Sequence, residues 1–497
     1  MINKYQKISF SIISIVVIVV ITSFWYIQVN PFSVLMAFPA FARFFGNNFL
    51  PPNFIGIVSN LPTIIDTIFM AIFSTFISAI LAIVLGILMS KMNPFKWLRT
   101  VTRFIVSFLR NIPLLVWITL LIYIFGIGHM VGVVALVFAS LGFLARSYAE
   151  SINEISATRL EAIRSSGASW LQIIFHGLMP EFLPAWINWT LFSFEINIRA
   201  SAVLGWVGAG GLGFLIQMNM ELRSFSRAFG LIVVLIIIVL ITEAIVNILR
   251  KRIYPLPTIV GIIVLFVISA YRLDLDFSRF ISRLTNAPNI IRLFFTFNFS
   301  ALPDVLRQLL ISITIGICGL VIGFVLSIIL AFLAANNITP FKPLSWLIKG
   351  VIAIIRAIPS IVLILMVVAS LGLGNIAGVA GLMFSTLGYL TKAFITTIEE
   401  QNYTIIEAKR ATGASWIQIV VHGLLPNVWK SFVSWISIRL EANIADSISI
   451  GIVGAGGIGM LIDRFNRENN FPSLSTTIVV IFLAMLLLEC CTQKARK

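Results

Sequence analysis

Ionisable and amide side chains occur in two similar apolar stretches, residues 192–213 and 436–459. The six residues are Glu195, Asn197, Arg199, Glu441, Asn443 and Asp446. Charged groups are costly inside a bilayer, so they are expected to face the interior of a helix bundle or water. Glu195 and Arg199 lie four residues apart and can pair on one helix face. Two interpretations stay open: the six line a translocation pathway between the two halves of the chain, or they pair only to hold helices together.

A Gly-Ala-Gly-Gly run lies near the end of each of these stretches. Such runs can cradle phosphates, but no strand precedes them and no Gly-Lys-Ser/Thr follows, which argues against a nucleotide site. Small residues instead permit close backbone contact or an irregular turn near the outer membrane face, with a role in gating or packing. The glycines concerned are Gly208, Gly210, Gly211, Gly454, Gly456 and Gly457. No Ser-His-Asp grouping, Walker loop or metal-ligand cluster occurs in the sequence, so we expect no enzyme activity from this chain.

These stretches belong to a tandem duplication. The sequence EAIRSSGASWLQIIFHGLMP at 161–180 returns as EAKRATGASWIQIVVHGLLP at 407–426, a spacing of 407 − 161 = 246 residues. The same spacing relates Arg-Asn-Ile-Pro at 110–113 to Arg-Ala-Ile-Pro at 356–359. The sequence therefore divides into two repeats, 1–251 and 252–497.

The polar segments 161–180 and 407–426 each predict a turn followed by a short helix. Gly167 interrupts the first segment, Ser169 can cap a helix over 170–176, and Gly177 and Pro180 are expected to end it. Exposed apolar side chains on this helix indicate a docking surface for another protein; the alternative is an amphipathic helix at the membrane surface. The candidate docking residues are Glu161, Ala162, Gly167, Trp170, Leu171, Ile174 and Pro180, and Glu407, Ala408, Gly413, Trp416, Ile417, Val420 and Pro426.

Composition places the chain in a membrane. Hydrophobic residues make up 59% and charged residues 11%, with a mean hydropathy of +1.04, which is typical of a protein with many membrane spans. The net charge of +16 comes from short basic clusters between apolar runs, the pattern of orientation signals rather than of nucleic-acid binding. Three cysteines provide neither a disulfide framework nor a metal site. The predicted fold class is an all-α integral membrane protein.

Each repeat contains about six apolar runs of the roughly 20 residues that a bilayer requires. The predicted spans are 8–27, 61–90, 104–125, 130–148, 182–204 and 228–249, then 258–271, 302–335, 350–371, 376–394, 431–450 and 475–490. The first is interpreted as a retained helix rather than a cleaved signal. An even number of spans gives both repeats the same orientation, so the repeats are parallel.

Orientation follows from the basic clusters, which fall on one side of the predicted spans and place both termini in the cytoplasm. Residues 272–307 carry five arginines on the predicted outer side. An amphipathic helix at the outer surface accounts for that segment.

The polar segments resemble the EAA loop of the membrane subunits of bacterial ABC importers, whose short helix docks on the ATP-hydrolysing subunit. The resemblance lies in the Glu-Ala pair, the glycine and the Leu-x-Pro ending, as in Glu161-Ala162, Gly167 and Leu178-Met179-Pro180. The third family position, usually alanine, is Ile163 in one copy and Lys409 in the other.

A narrower resemblance covers 66–213 and 312–459. Arg-x-Ile-Pro in the third span, the EAA loop, and Glu-x-Asn ahead of Val-Gly-Ala-Gly-Gly are similar to the phosphonate-type importer permeases. That resemblance implies a type I ABC importer permease with two permease domains fused in one chain. It also implies two copies of an ATP-binding subunit, which hold ATP and Mg²⁺, and an extracellular substrate-binding protein. This chain would then bind no cofactor, and would lie among lipids in the bacterial plasma membrane.

The implied cargo is a phosphonate or a related phosphorus oxyanion. Phosphate, phosphite and thiamine phosphates stay open as alternatives within the same class of importer. A secondary transporter can also consist of parallel six-helix repeats, but it has no need for a duplicated docking segment.

Overall fold

The computed structural model describes residues 4–155, 163, 165–205, 208–251, 255–273, 275–285, 287–401, 403–452, 454 and 456–496. All regular secondary structure within these ranges is helical. A helix satisfies every backbone polar group within its own segment, which a bilayer requires. The predicted all-α class is confirmed.

The helices are numbered here in chain order. They are α1 (Lys4–Tyr26), α2 (Pro31–Asn48), α3 (Leu61–Met89), α4 (Lys96–Asn111), α5 (Leu114–Phe125), α6 (His129–Glu154), α7 (Trp170–Gln172), α8 (Met179–Leu204), α9 (Gly211–Glu221), α10 (Phe225–Lys251), α11 (Pro255–Arg272), α12 (Phe277–Leu284), α13 (Ala287–Leu293), α14 (Leu302–Ala334), α15 (Lys342–Ala357), α16 (Ser360–Leu371), α17 (Asn375–Glu399), α18 (Tyr403–Ala411), α19 (Trp416–Gln418), α20 (Leu425–Gly451), α21 (Ile458–Arg467) and α22 (Phe471–Arg496). Two π-helical turns, Ile173–Leu178 and Ile419–Leu424, follow α7 and α19, and a 3₁₀ turn spans Phe299–Ala301.

Seven of the described helices are long and apolar enough to cross a membrane, or up to ten spans if each of three bent helix pairs counts as one. About twelve spans were expected. The two predicted spans outside that count, 182–204 and 431–450, coincide with α8 and α20, which have 26 and 27 residues. These two helices are long enough to span a membrane, but their polar side chains make them less apolar than the other candidate spans.

The third predicted span of each repeat is wrong as a single helix. Helices α4 and α5 meet at 96°, and α15 and α16 meet at 95°. Pro113 and Pro359 cause both breaks, because proline lacks an N–H and forces the preceding residue out of the helical region. Accordingly, Ile112 and Ile358 have extended backbones, with ψ of 121° and 124°.

Helical structure also follows the first predicted span of each repeat. Helix α1 bends by 56° into α2, which begins where the Asn30 side chain accepts a hydrogen bond from the Phe32 N–H at 2.9 Å. In the second repeat, the arginine-rich segment after α11 is helical in two pieces, α12 and α13. Each repeat therefore places helical structure between its first two spans.

The compact units of the structure are not the two sequence repeats divided at 251/252. One, the central unit, is Pro51–Leu293; the other, the terminal unit, combines Met1–Leu50 with Phe294–Lys497. In the terminal unit, Ile27 belongs to the core around α14 and α17, and its carbonyl accepts from Asn375 Nδ2 at 3.4 Å. In the central unit, Phe266 of α11 stacks on Phe73, with ring centroids 4.8 Å apart. The first helices of each repeat thus pack on the body of the other repeat.

Candidate functional site

The two polar segments fold alike. Ser169 begins α7 with a capping box, in which its hydroxyl accepts from the Gln172 N–H and its own N–H donates to the Gln172 side chain at 2.8 Å. Ser415 and Gln418 repeat this arrangement at α19. The sequence pattern of a serine followed three residues later by glutamine predicts such a start, so the predicted caps are confirmed.

The expected end of this short helix at Gly177 and Pro180 is wrong. The chain continues through a π-helical turn directly into α8, and the Met179 N–H bonds to the Ile174 carbonyl five residues earlier. Pro180 lies where the π register returns to the α register, within the first two residues of α8. One carbonyl is skipped at such a junction, so a residue without an N–H is tolerated. Pro426 is placed in the same way in α20.

The predicted exposure of Ile174 and Val420 is also wrong. Both side chains are buried, at 5% and 8% exposed, within the cores of their own units. The π turn adds one residue to the helical turn and rotates the following side chains. Ile174 consequently faces the protein, whereas Leu171 remains 58% exposed.

Each short helix has a small exposed apolar surface. The first coupling face consists of Trp170, Leu171 and Phe175, all exposed; the second consists of Trp416, which is half-buried, and Ile417 and Val421, which are exposed. Sequence reasoning missed Phe175 and Val421, although both lie four residues after a predicted docking residue, the spacing that shares a helix face.

The tryptophans also fix the coupling faces to the rest of their units. Trp170 Nε1 donates to the Met92 carbonyl at 3.5 Å, and Trp416 Nε1 donates to the Ile338 carbonyl at 2.9 Å. These carbonyls lie in the turns that precede α4 and α15. Each coupling face is therefore hydrogen-bonded to the turn that leads into the broken third span.

The remaining predicted docking residues differ in where the structure places them. Glu161 and Ala162 lie outside the described residues, whereas Glu407 and Ala408 are exposed on α18. Gly413 has a φ of +75° and follows the end of α18, and nothing lies within 4 Å of a Cβ built on it. Its requirement for glycine is conformational, because a left-handed residue commonly ends a helix. Gly167, with a φ of +82° and the same open surroundings, is equivalent.

Asn197 and Asn443 are buried and hold helices together. Asn197 accepts from Ser140 Oγ at 2.8 Å and donates to Thr75 Oγ1 at 2.8 Å, which joins α8 to α6 and α3. Asn443 exchanges hydrogen bonds with Thr386 at 3.1 and 2.8 Å. Interhelical hydrogen bonds of this kind stabilise membrane bundles. The structure thus gives both asparagines an interhelical role, and their part in a pathway stays a prediction.

The predicted pairing of Glu195 with Arg199 is confirmed. The guanidinium donates to the carboxylate across one helical turn; the Glu195 side chain is 7% exposed and that of Arg199 is 25% exposed. The cation is therefore the more accessible member of the pair.

The second repeat has a different arrangement. Glu441, at the position of Glu195, accepts from the Thr492 hydroxyl. Asp446 pairs with Arg439, with Oδ2 and Nη2 3.3 Å apart. Sequence reasoning did not predict this pair, although a separation of seven residues corresponds to two helical turns. Among the described residues, no group of three or more His, Cys, Asp and Glu could hold a metal ion.

The glycine runs form the predicted irregular turns with close contacts. Gly208, Gly210 and Gly211 have φ of +88°, +78° and +75°, a region that favours glycine. A Cβ on Gly210 would approach His129 Nε2 to 2.9 Å, and the Gly128 N–H donates to the Gly208 carbonyl at 3.1 Å. This geometry provides close packing against the turn before α6, and a gating role stays a prediction.

A family model matches the chain in both repeats. The model for binding-protein-dependent transport system inner membrane components matches residues 82–255 and again 323–492. The two matches together cover more than half of the chain.

Two relatives are similar over long spans. The phosphate-import permease protein PhnE of Mycolicibacterium smegmatis is 30% identical over 410 residues, 80% of this chain and 77% of its own length. The phosphite transport system permease protein PtxC of Stutzerimonas stutzeri is 29% identical over 242 residues, 48% of this chain and 88% of its own. Among solved structures, a chain of the inward-facing MetNI methionine ABC transporter is 25% identical with a TM-score of 0.36, over 38% of this chain and 94% of that one.

Proposed function

We propose that this chain, which belongs to the family of binding-protein-dependent transport system inner membrane components, is the whole membrane-spanning unit of an ATP-driven ABC importer. The observation that carries the proposal is the family match in both repeats, at 82–255 and 323–492. Such importers need two membrane domains, and this multi-pass chain of the bacterial inner membrane supplies both.

The proposed cargo is a phosphonate or a related phosphorus oxyanion. Support comes from the similar phosphate and phosphite permeases described above, one of which matches across both repeats. A putative cryptic phosphonate permease of Escherichia coli is also 32% identical over 118 residues, 97% of its length.

The two coupling faces are the proposed docking sites for two copies of an ATP-binding subunit. Both are formed by a capped short helix and the π turn that continues it, and both expose two apolar side chains four residues apart. Burial of such side chains against a partner is favourable by about 25 cal/mol per Å². ATP and Mg²⁺ would be held by those subunits, which keeps hydrolysis away from this chain.

An extracellular substrate-binding protein is proposed to bind on the side of the membrane away from the coupling faces. The first helices of both repeats end in exposed aromatic residues, Trp25 and Tyr271, at positions related by the repeat spacing. Tryptophan and tyrosine favour the membrane–water interface. Lysines near the start of α1 and the end of α22 then support cytoplasmic termini.

Arg199 and the carboxylates Glu195, Glu441 and Asp446 are the proposed pathway residues. A partly exposed cation lowers the cost of moving an anion through a medium of low dielectric constant. The two asparagines contribute by fixing the helices that carry these charges.

Transport in reconstituted vesicles tests the proposed function. The chain, its ATP-binding subunit and its binding protein are placed in proteoliposomes with internal ATP, and uptake of labelled methylphosphonate, phosphate and phosphite is measured. We expect ATP-dependent uptake of at least one of these, with methionine as the negative control. Uptake of none of the three, or uptake without ATP, contradicts the proposal.

A further inference from the structure

A polar cluster joins three helices of the terminal unit at the break of the third span. Arg439 Nη2 lies 3.3 Å from Asp446 Oδ2 and donates to Ser385 Oγ at 2.8 Å. Ser360, the first residue of α16, is hydrogen-bonded to the Asp446 carboxylate. The guanidinium carbon also lies 5.7 Å from the centre of the Tyr389 ring. These five residues are called the Arg439 cluster.

The first repeat has none of these side chains. The five positions 246 residues earlier hold Leu114, Ala139, Phe143, Ser193 and Ala200. Nevertheless, α5 packs on α6 and α6 on α8 in the central unit, as α16 packs on α17 and α17 on α20 in the terminal unit. The same arrangement of helices therefore forms without the cluster.

Stability alone does not explain such a cluster. Replacement of a buried ion pair by apolar residues of similar volume is often neutral or stabilising, because desolvation of the two charges is costly. The first repeat has small or apolar residues at these positions and keeps the packing. A function for the charges is the better explanation of their presence in the second repeat.

The chemistry of the cluster is that of an oxyanion site. A guanidinium and a serine hydroxyl both bind one carboxylate, and a guanidinium suits phosphate oxygens equally well. The 3.3 Å separation of Arg439 and Asp446 exceeds the roughly 2.7–2.9 Å of a strong charge-assisted hydrogen bond. The Asp446 side chain is 30% exposed, against 9% for Arg439. The carboxylate is thus the more accessible member of the pair.

We propose that Arg439, Ser385 and Ser360 form a subsite for a phosphorus oxyanion, and that the Asp446 carboxylate occupies it when no substrate is present. The ligand class rests on the proposed function. An oxygen of the substrate replaces the carboxylate at the guanidinium, so Arg439 stays paired throughout and no buried cation is left alone. This exchange also keeps binding weak enough for release, which a translocation site requires.

Direct binding of orthophosphate tests the subsite. The full chain with its ATP-binding subunit is placed in lipid nanodiscs without the binding protein, and the Kd for radiolabelled orthophosphate is measured. Asp446→Asn removes the internal competitor and should lower the Kd at least ten-fold. Adding Arg439→Gln to that variant should abolish the gain. Glu399→Gln is the matched control, because it removes a carboxylate from another ion pair of the same unit, with Lys349 at 2.8 Å, and should leave the Kd unchanged.

Two results overturn the subsite: Asp446→Asn binds orthophosphate no more tightly than wild type, or its tighter binding survives Arg439→Gln. If Asp446→Asn does not assemble with the ATP-binding subunit, Asp446→Ser, which removes the same charge, takes its place. Uptake by wild-type proteoliposomes separates the two proposals. If wild type takes up a phosphorus oxyanion but orthophosphate binding does not depend on Arg439, only the subsite is overturned. If wild type takes up none of the oxyanions but orthophosphate binding does depend on Arg439, the proposed function is overturned and the anion subsite is supported.

Discussion

At the scale of single residues, the direction of a side chain around α8 decides its role. Asn197 and Arg199 are two residues apart, so they point to nearly opposite sides of the helix. Asn197 is buried among hydroxyl groups, and Arg199 is partly exposed beside Glu195. The spacing of Glu195 and Arg199 was sufficient to predict their pairing. The burial of Asn197 was not predictable, because it depends on Ser140 and Thr75 of distant segments.

Exchange of the two charges in the first repeat distinguishes a pathway cation from a structural pair. The double variant Glu195→Arg/Arg199→Glu keeps an i,i+4 pair but moves the cation by about one turn, roughly 6 Å, into the buried position. We expect transport to fall at least ten-fold, or about 1.4 kcal/mol in the barrier, with ATPase assembly intact.

The measurement is the initial rate of uptake in proteoliposomes. Arg199→Lys, which keeps the charge near its native place, serves as the control and should retain more activity than the exchange. Normal transport by the exchanged variant would show that the pair has only a structural role.

At the scale of elements, the π turns determine which residues a partner can reach. Helical periodicity predicts that Leu171 and Ile174 share a face, since they are three residues apart. The wider turn that starts at Ile173 moves Ile174 into the core and leaves Phe175 outside. A π turn has no strong sequence signal, so the pattern alone could not supply this shift. Pro113 and Pro359 did indicate the breaks in the helices. Each proline, however, lies in an apolar run that is long enough to be interpreted as one continuous span.

Two aspartate substitutions separate docking from folding on the first coupling face. Leu171→Asp should abolish co-purification of the ATP-binding subunit with little change in Tm, because its side chain is exposed. Ile174→Asp should lower the Tm sharply, because an unpaired buried charge costs several kcal/mol. Co-purification and thermal unfolding of the detergent-solubilised chain measure both effects.

Ile417→Asp tests the second coupling face in the same way. Ser166→Asp adds the same charge at an exposed position outside the coupling face and should leave co-purification unchanged. Retention of the ATP-binding subunit by both Leu171→Asp and Ile417→Asp would contradict the docking assignment.

At the scale of the whole molecule, the repeats recognised from sequence differ from the compact units of the structure. The spacing of 246 residues showed the duplication but not the packing of α1 and α11 on the other repeat. Helix association in a bilayer depends on detailed packing rather than on apolarity, since lipid is as apolar as the helices. No local pattern in α11 specifies that Phe266 meets Phe73.

Two fragments of similar length test these boundaries. Residues 51–293 form the central unit, whereas 1–251 form the first sequence repeat and lack α11. We expect fragment 51–293 to unfold at a higher temperature and to resist protease longer, because it retains the stacking of Phe266 on Phe73 and Phe76. Aromatic pairs contribute about 0.5–1.5 kcal/mol each beyond their buried area.

Thermal unfolding and limited proteolysis in the same detergent compare the two fragments. Fragment 51–293 carrying Phe266→Ala is the matched control and should lose part of the advantage. Equal or greater stability of fragment 1–251 would mean that the sequence repeat is the folding unit.

The discontinuous terminal unit has a consequence for biosynthesis. The central unit is continuous in sequence, so a ribosome can complete it before any of Phe294–Lys497 has been made. Helices α1 and α2 are made first, and 293 − 50 = 243 residues are then added before synthesis of the rest of the terminal unit begins. At about 5–20 residues per second, that delay is roughly 12–50 s. During this interval α14, on which α1 packs, has not yet been made, so the oldest helix of the chain is among the last to reach its native neighbours.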